Sequence, residues 1–304
     1  MAKNQDVYAQ PKLGAARWWG HLGWRHVVGV IAVIYAAFPI VYVVSASLAP
    51  KGTTMTGSNA LFSSISFDNY LRLGAEHAGT GADASRFWIW MGNSLIIASA
   101  TAIGTLLMGA AAAYAFSRFR FRGRRMGLTS LLIIQMFPQM LAFVALYLLL
   151  LTLGDVVPVL GLDSKLAVIC VYLGGALGAN TFLMYGFFNS IPKSLDEAAK
   201  IDGATHAQTY WTIIMPLVIP ILAVTALLSF ISTFGEFIIA KVILASQDNW
   251  TLAVGLYSWV ASEKNAEWAI FGAGAVVAAL PVLLLFLFLQ KYIVSGLTAG
   301  AVKG

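Results

Sequence analysis

Residues 191–216 read IPKSLDEAAKIDGATHAQTYWTIIMP, a stretch of mixed polarity set between two long apolar runs. Its punctuation predicts ordered structure. Ser194 and Glu197 have the three-residue spacing of a capping box, and Gly203 is the residue type that stops a helix in the left-handed conformation, so Leu195 to Asp202 reads as two short helical turns. Thr205 and Gln208 repeat the box spacing ahead of a second helical segment, Ala207 to Met215, which Pro216 is expected to separate from the run that follows. A helix of two turns is marginal alone. The first segment therefore needs a surface to dock on, and Ala198 and Ala199 give it a small, flat face for close approach. A plain re-entry turn would use the same caps and prolines, so the residues alone leave both readings open.

Outward from this segment the chain is apolar. Of 304 residues, 59% are apolar and 11% charged, against about 45–50% and about 25% in an ordinary soluble domain; the mean hydropathy is +0.80. This composition excludes a soluble enzyme. Runs of about 20 residues, enough to cross a bilayer, fall at Val27 to Leu48, Leu95 to Phe116, Leu128 to Leu151, Leu166 to Phe188, Leu217 to Ala240 and Ala269 to Leu289. The expected fold is an all-α polytopic membrane protein with six transmembrane helices. Residues 1–26 hold four basic side chains and no apolar h-region, so they read as a retained segment and not a cleaved signal peptide. Residues 49–93, rich in Gly, Ser and Thr, form one long outer loop, and 241–268 a second outer segment.

Orientation follows from the basic residues, which are retained on the cytoplasmic side. Thirteen of the 19 Lys and Arg lie in the N-terminus, in the Arg118 to Arg125 connection, at Lys193 and Lys200, and at Lys291 and Lys303; six lie in the alternate connections. Both termini and the 191–216 loop are therefore placed in the cytoplasm. Trp18, Trp19 and Trp24 before the first run, and Trp88 and Trp90 before the second, sit where interfacial rings are favoured.

The chemistry that is missing narrows the function. No Gly-Lys-Ser or Gly-Lys-Thr occurs, so the chain carries no phosphate loop of its own. The four histidines are scattered and Cys170 is the only cysteine, so neither a metal set nor a hydrolytic triad is visible. The net charge of +6 is explained by membrane topology and not by a nucleic-acid face. Asn249-Trp250-Thr251 matches the glycosylation pattern, a short match that chance supplies freely. Glu236 is the one clearly intramembrane ionisable residue in the six runs. A carboxylate there costs about 2.5–3.5 kcal/mol on insertion scales, so it should face protein or water, either as a hydrogen bond between helices or subunits or as part of a translocation path.

The segment from Glu197-Ala198-Ala199 through Gly203 and Ile213 to Pro216 resembles the E-A-A-x3-G-x9-I-x-x-P loop of the membrane subunits of binding-protein-dependent ABC importers. Spacing, membrane side and position before the penultimate helix all agree. Further stretches are similar to the maltose/maltodextrin permeases of that family: Ile134 to Pro138, Val144 to Tyr147, Tyr172 to Gly175, Pro220 to Val224, Leu252 to Gly255 and Gly296 to Gly304. The likeness runs from about the second run to the C-terminus. It departs at Phe234-Gly235-Glu236-Phe237, where relatives often have a Trp-Asn-Glu-Phe sequence.

The resemblance implies a type I ABC importer (MetI-like) permease fold with a core over 94–292 and a cytoplasmic tail over 293–304. It also implies a non-catalytic subunit in the bacterial cytoplasmic membrane, importing maltose, maltooligosaccharides, trehalose or another oligosaccharide. Glu197, Ala198, Ala199, Asp202 and Gly203 would form the ATPase-coupling element. Ala299, Gly300, Ala301, Val302, Lys303 and Gly304 would contact the ATPase, and Val260, Ala261, Ser262, Glu263, Lys264 and Asn265 would face the sugar-binding protein. The partners implied are a second homologous membrane subunit, a homodimeric ABC ATPase, an extracytoplasmic binding protein, the sugar and the lipid bilayer. No cofactor would be bound by this chain; ATP and Mg would sit on the ATPase. From another class, a stand-alone ion-coupled carrier would use Glu236 as its coupling site, and would need inverted repeats and broken helices.

Overall fold

In hydrocarbon every backbone N–H and C=O must be satisfied internally, and a single chain of apolar runs meets that demand by forming helices. A computed structural model describes residues 19, 23–50, 61–74, 86–261 and 267–301, with the side chains of 139–140 and 294–301 excepted. In chain order the helices are α1 (Trp24–Ser47), α2 (Asp68–Arg72), α3 (Phe87–Arg118), α4 (Arg124–Gln135), α5 (Gln139–Val156), α6 (Lys165–Ser190), α7 (Ser194–Ile201), α8 (His206–Phe234), α9 (Ile238–Ile243), α10 (Leu252–Val260) and α11 (Trp268–Ala301). Five of them, α1, α3, α6, α8 and α11, are long and apolar enough to cross a membrane.

Two of the six expected spans are interrupted. The third divides into α4 and α5 at Met136 to Pro138, because Pro138 has no N–H to give and its extended backbone (ψ 110°) starts a new helix. The fifth ends at Phe234 and resumes at Ile238 after Gly235, Glu236 and Phe237. Conversely, Pro216 does not separate the second helical segment of the 191–216 loop from the fifth run. A π-helical turn over Thr209–Ile214 precedes it and widens the helix, so that α8 continues through a proline that would otherwise crowd the carbonyl four residues back.

α3 is the central helix, packed most extensively against α6 and next against α8. Small residues permit the approach, as is usual between helices in lipid. Ala98, Ala110 and Ala113 are fully buried, and Gly109 lies against Met184 and Thr181 of α6. Three apolar clusters result. One joins Phe87, Trp90 and Met91 of α3 to Leu256 and Trp259 of α10 and Ile270 of α11. The second joins Tyr114 to Phe188, Tyr210 and Ile214, and the third joins Ile97 to Val168, Tyr172, Ile243 and Val254. α1 packs on α11, while its mid-section stays exposed.

The ends of α1 and α11 are tied to α2 by polar contacts. Asn69 of α2 donates to the carbonyls of Ser47 (3.1 Å) and Ala49 (2.7 Å) at the end of α1, and Arg72 pairs with Glu267 just before α11.

Gly255 shows how closely α10 is pressed onto α3, since a Cβ there would lie 2.0 Å from the buried ring of Trp90. Gly255→Ala is expected to destabilise the protein by about 1–3 kcal/mol through overpacking, whereas Gly109→Ala, with its nearest neighbour at 3.4 Å, is expected to be tolerated. Thermal unfolding of the two variants in the same detergent measures the difference.

Candidate functional site

The 191–216 loop is ordered as a helix, a stop and a second helix. α7 ends in a Schellman motif: Ala204 N–H donates to Ala199 O (2.9 Å), Gly203 N–H to Lys200 O (3.1 Å), and Gly203 takes φ +78°. Thr205 and Gln208 form the reciprocal box, with Gln208 N–H donating to Thr205 Oγ1 (3.3 Å) and Thr205 N–H to Gln208 Oε1 (2.8 Å). The Ser194 box does not form. Lys193 occupies the cap position without a side-chain cap and Ser194 is already the first helical residue, so its hydroxyl is past the point where it meets the free N–H groups.

The faces of α7 differ sharply. Ala199 is buried against the bundle, while Glu197, Ala198, Asp202 and Gly203 are exposed, as is Leu195. Ile201 is 86% exposed and Trp211, one turn into α8, 56%. The helix therefore presents an apolar surface flanked by carboxylates, on a loop whose own packing does not use it. Behind it, Tyr114 meets Tyr210 edge-on at 4.9 Å, and Phe119 meets the His206 ring at 5.4 Å.

Glu236 sits at the break between α8 and α9, half-buried. Its Oε1 accepts from Ile239 N–H (2.9 Å), and its Oε2 accepts from Ala240 N–H (3.1 Å) and from the Tyr172 hydroxyl of α6. The carboxylate thus caps α9 and bridges α9 to α6 at once, satisfying the N–H groups that the break sets free. Of the segment after α10, Val260 closes the helix and Ala261 follows it, with Glu267 N–H donating to Trp259 O (2.9 Å); Ser262, Glu263, Lys264 and Asn265 lie outside the described residues. At the C-terminus the helical backbone of α11 includes Ala299, Gly300 and Ala301, and Val302, Lys303 and Gly304 lie outside the described residues.

A second junction was invisible in the sequence. Asp163, at φ +61° in the turn before α6, accepts from the N–H groups of Ala245 and Ser246 (both 2.9 Å) and from Asn249 Nδ2 (3.1 Å), while its own carbonyl accepts from the same amide (2.8 Å). Asn249, read in sequence only as part of a glycosylation pattern, is thus a structural clamp. Burial is the largest influence on Asp163 and pushes its carboxyl up, but the bonds from Ser246, Asn249 and Ala245 together outweigh it and hold the group below the ordinary carboxylate range.

Comparison with known proteins gives a consistent pattern. Residues 89–299 match the family described as binding-protein-dependent transport system inner membrane component. The chain is 40% identical over 284 residues to the maltose/maltodextrin transport system permease protein MalG of Salmonella typhimurium, covering 92% of this chain and 95% of that one. It is 38% identical over 271 residues to the galactooligosaccharides transport system permease protein GanQ of Bacillus subtilis, covering 89% and 92%. Among solved structures it superposes with a TM-score of 0.74 and 26% identity on a bacterial ABC transporter involved in the import of the acidic polysaccharide alginate, covering 93% of this chain and 99% of that one.

The Asp163 clamp makes a pH-dependent prediction. Because folding lowers this carboxyl's pKa, its stabilisation is fully present above the unfolded value of about 4 and is lost as pH falls through the lower folded value. Wild type should therefore unfold at a higher temperature than Asp163→Asn by a constant margin from about pH 7 to about pH 5, with the margin closing below about pH 4. Thermal scans of both proteins across this range check it.

Proposed function

Because the chain belongs to the family of binding-protein-dependent transport system inner membrane components, we propose that it is the permease subunit of an ATP-driven sugar importer for maltose and maltooligosaccharides. It works in the cytoplasmic membrane beside a second homologous membrane subunit, with both termini inside. Two ABC ATPase copies bind ATP and Mg, and an extracytoplasmic binding protein delivers the sugar. The subunit itself performs no hydrolysis.

One observation carries the coupling role: α7 buries Ala199 against the bundle yet leaves Leu195, Ala198 and Ile201 exposed beside Glu197 and Asp202. An apolar ridge on a cytoplasmic loop fits a cleft on a partner, and Glu197 and Asp202 supply polar contacts at its rim. Closure of the ATPase dimer would move α7, and the helices joined to it would rotate to open the path outward, a shift between two states that the partners contact differently. The tail from Ala299 to Gly304 would reach the ATPase, and the segment from Val260 to Asn265 would face the binding protein. Glu236 would border the translocation path while serving as the α9 cap. That a single carboxylate is already shared among three donors favours this over an ion-coupled carrier, where it would have to exchange its partners in each cycle. A second cargo, another oligosaccharide, is favoured by the similar identity to the galactooligosaccharide permease.

Gly203→Val tests the coupling role, since a β-branched residue at φ +78° costs about 1–2 kcal/mol and distorts the stop of α7. The expected outcome is near-normal membrane abundance with ATP-dependent uptake lowered by about tenfold or more; normal uptake at normal abundance would overturn it. Stimulation of the ATPase by binding protein loaded with maltose, compared with a galactooligosaccharide, decides the cargo.

A further inference from the structure

The inner end of α3 carries a charge that its position does not explain. The Arg118 side chain is only 5% exposed, and its Nε lies 3.0 Å from Oδ2 of Asp196, itself 15% exposed, in the first turn of α7. Burying an arginine at the end of a membrane helix is costly unless it is fully engaged. This one is held at each of its three nitrogens: Nη2 donates to the Ile191 carbonyl at the end of α6 (3.2 Å), Nη1 donates to Ser117 Oγ (3.3 Å), whose hydroxyl donates to Asn189 of α6 (3.0 Å), and Nε faces Asp196 Oδ2 as an ion pair at a geometry that makes no hydrogen bond. One guanidinium therefore joins the C-termini of α3 and α6 to the N-terminus of α7. The charges also match the helix dipoles, cation at the C-terminal end of α3 and carboxylate at the start of α7.

The other end of α3 is fastened as firmly. Trp90 Nε1 donates to Gln247 O (2.8 Å), Asn93 Nδ2 to Asp248 O (2.8 Å) and Trp250 O (2.9 Å), and Ser94 Oγ accepts from Leu252 N–H (2.7 Å). These bonds hold the loop that leads into α10. The helix that carries both joints has 32 residues and no proline, a length of about 48 Å.

We propose that Arg118 and Asp196 are positioning residues that transmit the motion of α7 into α3, and that α3 carries it across the membrane to the 247–252 loop and α10. The inference rests on the coupling role given to α7 above. It differs from that role in naming the load path: α7 drives α3 through a buried ion pair, and does not act only through the chain connections to α6 and α8. Lysine cannot replace the arginine fully, because an ammonium lacks the planar fork that reaches Asp196 and the Ile191 carbonyl together.

The test uses the assembled transporter in proteoliposomes, with maltose-loaded binding protein, and measures sugar imported per ATP hydrolysed alongside the amount of assembled complex. In Arg118→Met and Asp196→Asn the ratio is expected to fall by about tenfold, the usual size of coupling between sites, with Arg118→Lys intermediate and Asp196→Glu close to wild type. An unchanged ratio in both Arg118→Met and Asp196→Asn overturns the inference, as does a loss of complex that lowers uptake in step at an unchanged ratio, since a folding role alone gives that. If the wild-type complex shows no stimulation by any loaded binding protein, it is the coupling role of α7 that fails.

Discussion

A helix in hydrocarbon can be interrupted only where something inside the protein takes over the hydrogen bonds that the interruption frees, and the α8–α9 break and the bend at Pro216 are built around such substitutes. At the α8–α9 break the substitute is Glu236, which accepts from two N–H groups of α9 and from Tyr172. At the α4–α5 break Gln135, the last residue of α4, donates to the Gly175 carbonyl of α6 (2.9 Å) and fixes the end of the helix against its neighbour. At Pro216 the helix itself gives way, through the π turn and through hydroxyls of Thr209 and Thr212 that bond back to the carbonyls of Thr205 (3.1 Å) and Gln208 (2.6 Å). The bends are thus fixed by specific side chains, and each lies beside α6 or at the entry to α8.

The same constraint explains where the charges went. Lipid leaves few places for an ionic side chain, so among the described residues the pairs collect next to helix ends: Arg118 with Asp196 at one end of α3, Arg86 with Asp248 at the other, and Arg72 with Glu267 beside α11. At these places an ion pair couples two segments that are distant in sequence. The interior contacts between the pairs are made by alanine, glycine and threonine, which let the helices approach closely, together with aromatic rings and branched residues such as Ile97, Val168 and Ile214.

Much of this was legible in the sequence, and the boundary of what was legible is physical. Run length and charge placed the spans, because the demand for about 20 apolar residues is set by bilayer thickness and not by tertiary context. The stop at Gly203 and the Thr205 box were legible because caps are local: three or four residues contain both partners. Ser194 and Glu197 had the same spacing and formed no box, since the helix began one residue earlier than the pattern implied, and cap patterns do not fix the first residue. The breaks at Pro138 and Gly235 were missed because mean hydropathy does not register a kink; Leu, Phe and Ile continue through both, and only the backbone changes direction.

The features with the greatest reach were the least legible. Arg118 reads in sequence as one of five basic residues marking a cytoplasmic connection, and Asp196 as an ordinary acid in a helix's first turn. Nothing local distinguishes this arginine from its neighbours Arg120 and Arg122. The distinction comes from the turn between α6 and α7, which brings Ile191 and Asp196 under the end of α3 from 73 and 78 positions away. The same holds for Asp163, whose partners lie more than 80 residues further along. Spans and caps follow from local rules and survive in any relative with the same pattern, whereas a long-range clamp depends on one donor meeting one acceptor. Conservative changes at such positions are therefore the ones whose effects composition cannot anticipate.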